Sequence, residues 1–230
     1  MPSKKAKKPA SSVTRVSANS HQAFYPLLML CLIVWVVYRS IFQFEVWFDE
    51  IVGKALFFGF PVWLYVNLTQ NKSISDTFAP PKLYRGLWLG IALGGVYGFA
   101  TSILTLILNR AQIQAAPLFL SSVFWWEFFL ALMTGFWETL FFFSWIMVVV
   151  QEKHVNWSLL KQVLWVMAIF VVFHIPNSLL RFSGTQVLVQ LFLLGLFAVG
   201  QALLFTGRRN AFALALSHAI WGMVLLISLM

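Results

Sequence analysis

Charge is what this chain has least of. Only 10% of its 230 residues are charged, against roughly 25% in soluble globular proteins, and 7 of them are acidic. With 60% hydrophobic residues and a mean hydropathy of +0.83, the chain holds more apolar surface than one core of 26.3 kDa can hide. A water-soluble enzyme is thereby excluded, and lipid is the solvent for much of the chain. Cysteine is nearly absent too. The single thiol, Cys31, can form no internal disulfide and no cysteine-based zinc site, and its place in an apolar run reads as a small core hydrophobe. Internal repeats, heptads and glycine-rich phosphate loops are also missing. The only biased segments are a basic tail and a polar loop at 70–82.

What is abundant is aromatic, aliphatic and basic: 24 Phe, 11 Trp and 5 Tyr accompany a formal charge of +9. Five of the basic residues, Lys4, Lys5, Lys7, Lys8 and Arg15, fall in the first 22 positions without an acidic residue. Such a segment is expected to stay disordered beside anionic headgroups. No basic stripe interleaved with base-reading polar residues follows, so nucleic acid is not an expected partner. The tail leads into an apolar run from Phe24 to Val37 with no small-residue cleavage site after it, and Cys31 lacks the preceding small residue that lipidation would need. A retained signal anchor is the expectation.

Crossing hydrocarbon takes about 20 helical residues. The apolar runs at 24–42, 52–69, 86–109, 117–150, 162–180, 186–206 and 210–230 therefore predict an all-α polytopic bundle of about seven spans. The fourth run is too long for one upright helix, so it tilts, protrudes or breaks near Gly135. With the N-terminus placed in the cytoplasm, Lys and Arg divide 12 inside to 4 outside, the asymmetry expected of such an orientation. Three regions form one membrane domain: a tail at 1–22, motif-free spans at 23–110 and chemistry-bearing spans at 111–230. A multi-pass bacterial plasma-membrane protein is the expected setting.

An ionisable side chain inside a span is costly, about 2.5–3.5 kcal/mol at the helix centre on insertion scales, and so marks candidate chemistry. Glu138, His174 and His218 qualify. Counted from the cytoplasmic ends of their spans they lie about 18, 18 and 12 Å deep, a shared level at which three helices can meet. A carboxylate beside two imidazoles suits two hydrolytic uses. The carboxylate can act as a general base on water while the imidazoles hold it and polarise a carbonyl, or all three can ligate a divalent metal such as zinc. Each polar group bonding separately within the bundle is the plain alternative. Glu45, Asp49, Glu50 and Lys54 read as a solvated outer loop with local pairing. Glu127 falls about 16 Å above Glu138 on the same helix, outside the site. Trp137, Trp145, Trp165 and Trp221 read as packing or interface anchors.

The strings around these residues resemble a family. Phe170-Val-Val-Phe-His174-Ile-Pro176-Asn177 is similar to the FxxxH motif of the CPBP intramembrane peptidases, which include CAAX endopeptidases and bacteriocin-processing or immunity proteins. Gly135-Phe-Trp-Glu138-Thr139-Leu-Phe-Phe-Phe143 stands where that family carries EExxxR, and Ser217-His218-Ala-Ile-Trp221-Gly222 where it carries HxxxN or HxxxD. The resemblance spans 117–230 and departs at Thr139, Phe143 and Gly222, the places of the second Glu, the Arg and the final Asn or Asp. It implies an endopeptidase acting on a membrane-associated or lipid-anchored peptide or protein substrate. Glu138 and His174 would activate water and His218 would assist the oxyanion; Asn177 would replace the missing amide if the chain beyond Pro176 turned it inward, though a helix-end or loop residue is the plainer reading. A degenerate relative serving as chaperone, immunity factor or scaffold is the first alternative. The second is a small transporter with a buried Glu/His proton relay.

Overall fold

Backbone amides in hydrocarbon find no water, so a spanning segment of this composition must bond its own backbone as helix. The computed structural model describes residues 21–108 and 123–228, all helices, turns and short connections with no strand among them. Six helices there are long and apolar enough to cross a membrane. In the order of the chain, α1 is Phe24–Ile41, α2 is Val46–Thr69, α3 is Leu83–Leu108, α4 is Phe124–Lys153, α5 is Leu159–Arg181 and α6 is Thr185–Arg208. A seventh, α7 at Ala211–Ser228, occupies the place of the last expected span with a shorter apolar stretch, Ala211–Met223. The chain is an all-α polytopic membrane protein. The basic tail to residue 20, the loop at 110–116 and the first residues of the fourth run lie outside the described residues.

Burial is arranged as lipid requires. Met29, Leu30 and Ile33 of α1, Val96 and Phe99 of α3, and Leu188, Phe192 and Leu196 of α6 are exposed, whereas Lys54, Glu138, Gln201 and His218 are buried. The centre is α4, fully enclosed from Phe141 to Val150. It does not break at Gly135. The helix continues through that glycine and widens to π geometry at Thr139–Met147. Gly135 serves packing, because a Cβ there would lie 2.4 Å from the Ala215 carbonyl oxygen and 3.3 Å from His218 Cβ. A second glycine seam seats α7 from the other side: a Cβ on Gly86, Gly90 or Gly94 would meet Phe212, Leu216 or Ile220 at 2.7–2.8 Å. Small residues one turn apart let backbones approach where apolar burial gives helices no drive to associate.

Polar contacts sort the connections onto two faces. On one, Lys153 Nζ donates to the His21 carbonyl (3.2 Å), Asn71 Nδ2 to Glu152 (2.6 Å), Arg209 to Gln151 (2.8 Å) and Lys82 to the Arg209 carbonyl (2.9 Å). These bonds tie the start of α1 to the α2–α3, α4–α5 and α6–α7 connections, the same loops that carry the basic excess. On the other face Arg39 donates to Asp49. His21, read from sequence as part of the polar tail, is buried and hydrogen-bonds the Tyr65 hydroxyl at 2.9 Å.

This sidedness has a direct consequence for labelling. In a Cys31→Ser background, single cysteines at Ser75 and Asn156 should react with an impermeant maleimide from one side of a sealed vesicle. Cysteines at Gln43 and Ser183 should react from the other, and any exchange between the pairs contradicts the seven-helix path. The basic face also carries a pH response. Burial, with Lys153 adding to it and Glu152 opposing it, holds His21 below its ordinary 6.5; burial, then Lys153 and Lys161, does the same to His154. Between the lowered folded values and 6.5 the unfolded chain binds more protons, so these two groups lower stability as pH falls through that window and contribute no slope above it. Melting of the detergent-solubilised protein, compared at about pH 7.5 and about pH 5.5, should show the loss and should show less of it in His21→Gln.

Candidate functional site

Parallel neighbours set the register of the site. α2 and α4 run in the same direction, and two bonds between them keep one offset: Thr134 Oγ1 donates to Glu50 Oε2, and four residues on Lys54 Nζ donates to Glu138 Oε1 at 2.6 Å. Glu50 and Lys54 are themselves i and i+4 on α2, with Lys54 Nζ 2.5 Å from Glu50 Oε2. Lys54 sits between two π-helical segments, Asp49–Gly53 and Ala55–Gly59, and Glu138 directly precedes the π segment of α4. Such widened turns re-aim side chains and recur at functional sites.

From the other side α5 and α7 bring the two histidines. His174 Nε2 lies 3.2 Å and His218 Nε2 3.3 Å from the same oxygen, Glu138 Oε2. The sequence-derived trio of Glu138, His174 and His218 is thus one cluster, as their common depth implied. Its two carboxylate oxygens are divided, Oε1 to the ammonium and Oε2 to the imidazoles. His174 Nδ1 donates to the Phe170 carbonyl at 2.7 Å. A carbonyl only accepts, so a neutral His174 would turn a lone pair toward Glu138. One proton must therefore lie between ring and carboxyl. His218 Nδ1 is buried with no hydrogen-bond partner among the described residues, enclosed by Phe197 and Phe170 with ring centroids at 4.8 and 6.2 Å.

Two sequence expectations need correction. Asp49, Glu50 and Lys54 are not a solvated loop. α2 begins at Val46, which carries Lys54 about 12 Å into the helix, where it is 3% exposed and ion-paired on both sides. Asp49 is buried against Arg39 and Tyr38, and only Glu45 stays exposed. Taking Lys54 out of the outer loop leaves the Lys/Arg division at 12 to 3. The sequence signal was present, a Glu and a Lys four apart at the head of an apolar run, but it lay at the margin of a span started six residues too late. Asn177 is not a helix-end or loop residue, because α5 continues through Pro176 to Arg181; its Oδ1 is buried, with no hydrogen-bond partner among the described residues. Glu127 is exposed, outside the cluster as expected.

Among the described residues no group of three or more His, Cys, Asp or Glu is arranged to hold an ion, and the ammonium of Lys54 takes Oε1 of Glu138, which leaves Oε2 facing the two imidazoles. No family model, curated protein or solved structure matches the chain. Functional inference therefore rests on the geometry and on the motif resemblance.

Gly135 controls this geometry, so Gly135→Ala should act on the site without altering a polar group. Its Cβ would press on the Ala215 carbonyl and His218 Cβ, and a small-to-large change of this kind costs typically 1–3 kcal/mol. Melting should fall accordingly, and a cysteine pair bridging α4 and α7 should cross-link less readily than in the parent.

Proposed function

We propose that the protein is an intramembrane endopeptidase in which Glu138 activates water against a peptide bond of a membrane-associated or lipid-anchored substrate. One observation carries the reading: a single carboxylate oxygen, Glu138 Oε2, faces both imidazoles at 3.2 and 3.3 Å inside the bundle. In this mechanism Glu138 takes a proton from water through Oε2 while the hydroxide forms its bond to the carbonyl carbon. His174, held in place by its Nδ1–H bond to Phe170, orients the carboxylate and carries the proton onward. The resemblance gives His218 the oxyanion role, and the ring would donate there through Nδ1, the nitrogen without a partner among the described residues, once that nitrogen carries a proton. As the C–N bond breaks, the proton held between Glu138 and His174 passes to the leaving amine. The resemblance to the CPBP peptidases points the same way and adds the substrate class, and a bacterial plasma membrane with a cytoplasmic N-terminus fits the basic face.

A second reading has its own observation. Lys54 binds Glu138 at 2.6 Å in a cluster with almost no exposed surface, a geometry that also suits a structural pin. Under that reading the chain is a non-catalytic relative that acts as a scaffold or immunity factor.

Glu138→Gln separates the two. It keeps side-chain size but removes the proton acceptor. Protein reconstituted in phosphatidylcholine/phosphatidylglycerol liposomes with a library of membrane-anchored peptides should then lose cleavage by roughly 10² to 10⁴-fold, read as new termini by mass spectrometry. Undiminished cleavage, or no cleavage by the parent protein, would sink the peptidase reading. Gly222→Asn is the complementary change. A Cβ there would meet no atom of the described residues within 4 Å, so the amide that the family carries one turn after its last His can start from that position, and a rise in turnover is expected.

A further inference from the structure

The motif resemblance leaves two of its own parts unfilled, the second Glu at Thr139 and the cation at Phe143. Both positions are fully buried, and Phe143 packs against Phe170 and Phe205 at ring-centroid distances of 6.2 and 6.4 Å. Neither carries a charge, yet the cluster holds a second carboxylate and a cation. They arrive from α2: Glu50 and Lys54, four residues apart like the two missing positions.

We infer that Lys54 is a positioning residue for Glu138 and that Glu50 is the standing counterion of Lys54, so that α2 supplies the charged half of a site whose other half lies on α4, α5 and α7. This rests on the hydrolytic reading above. The geometry divides labour between oxygens. Lys54 occupies Oε1 alone, which turns Oε2 toward the imidazoles and leaves it as the proton-accepting atom. Glu50 becomes necessary at the next moment. When Oε2 accepts a proton from water, Glu138 becomes neutral, and without Glu50 the ammonium would stand unpaired in hydrocarbon, a costly state. With Glu50 at 2.5 Å the ammonium keeps a negative partner through the cycle. Glu50 is itself held in place by the Thr134 hydroxyl, with Arg181 at 3.9 Å where the cluster approaches the surface. Arg181 is 46% exposed, so the row Arg181, Glu50, Lys54, Glu138 grades from the face opposite the basic loops to the buried carboxylate.

A merely structural salt bridge would not separate kcat from KM, and that distinction supplies the test. With the full-length protein in the same liposomes and its best-cleaved library peptide, Glu50→Gln should lower kcat by about 10²-fold, the scale of a misplaced reacting group, and leave KM within about twofold. Lys54→Arg should retain more activity than Lys54→Met. Unchanged kcat in Glu50→Gln, or equal loss in Lys54→Arg and Lys54→Met, overturns the assignment. A second measurement needs no turnover. Glu50→Gln should lower the melting midpoint in the parent, where it removes a partner of Lys54, and raise it in Lys54→Met, where it removes a largely buried carboxylate left with only the half-exposed Arg181 at 3.9 Å. A shift of the same sign in both backgrounds overturns the linkage. If the parent cleaves nothing, the hydrolytic reading fails by itself, while the midpoints still decide whether Glu50, Lys54 and Glu138 act as one unit.

Discussion

A lysine between two carboxylates in the interior of a membrane bundle is the constraint on which the rest of the site depends. None of the three charges is tolerable alone at that depth, and Glu138 keeps its cation only while α2 and α4 stay in register. The Lys54–Glu50 pair at 2.5 Å lies within α2, whereas the 2.6 Å bond to Glu138 and the Thr134 bond to Glu50 cross between the helices, so a slip of either helix by one residue would break both crossing bonds and strand Glu138 in hydrocarbon. Buried pairs of this kind are poor sources of net stability but strong determinants of which arrangement is allowed. Here the arrangement they allow is the one that turns Glu138 Oε2 toward two imidazoles.

Backbone proximity makes the rest possible. Imidazoles meet a carboxylate at hydrogen-bond distance only if their helices come close, and in lipid that closeness comes from small residues and shape. Gly135 lets α7 press on α4 one turn before Glu138. The glycines at 86, 90 and 94 let α3 hold α7 from behind. Aromatic side chains then fill the remaining space: Phe170 stacks on His174 with centroids 4.2 Å apart, and Phe197 lies between His218 and Trp221. The histidine rings are therefore oriented by packing as much as by polar bonds, which suits a site that must keep its geometry while protons move.

The two faces of the bundle differ in their chemistry. The basic face is stitched by hydrogen bonds between connections, including those of His21, Asn71, Lys153 and Arg209. On the opposite face the charges are fewer and are absorbed by pairing, Arg39 with Asp49 and Arg181 with Glu50. Glu50 connects that face to the buried cluster, so the site communicates with the side that carries the fewest basic residues.

Composition and the lengths of apolar runs determined the class of this protein, the places of its long apolar helices, six of them long enough to cross a membrane among the described residues, and the sharing of one face by the basic connections, because a hydrocarbon layer of about 30 Å imposes one helix length and one sign of loop charge. Depth counting along those helices also determined that Glu138, His174 and His218 lie at one level, since a helix rises by a constant amount per residue. Which side chains touch was a matter for tertiary structure alone. Lys54 and Glu50 stood at the edge of an apolar run, where sequence does not distinguish a residue that reaches out to water from one that is pulled in. Only the neighbouring carboxylate on α4, 84 positions away, decides between them. The same holds for Gly135, which reads as a break in one helix and proves to be the contact point of two. Period and hydropathy describe a helix against its solvent, whereas the partner across an interface is chosen by packing between segments far apart in the chain.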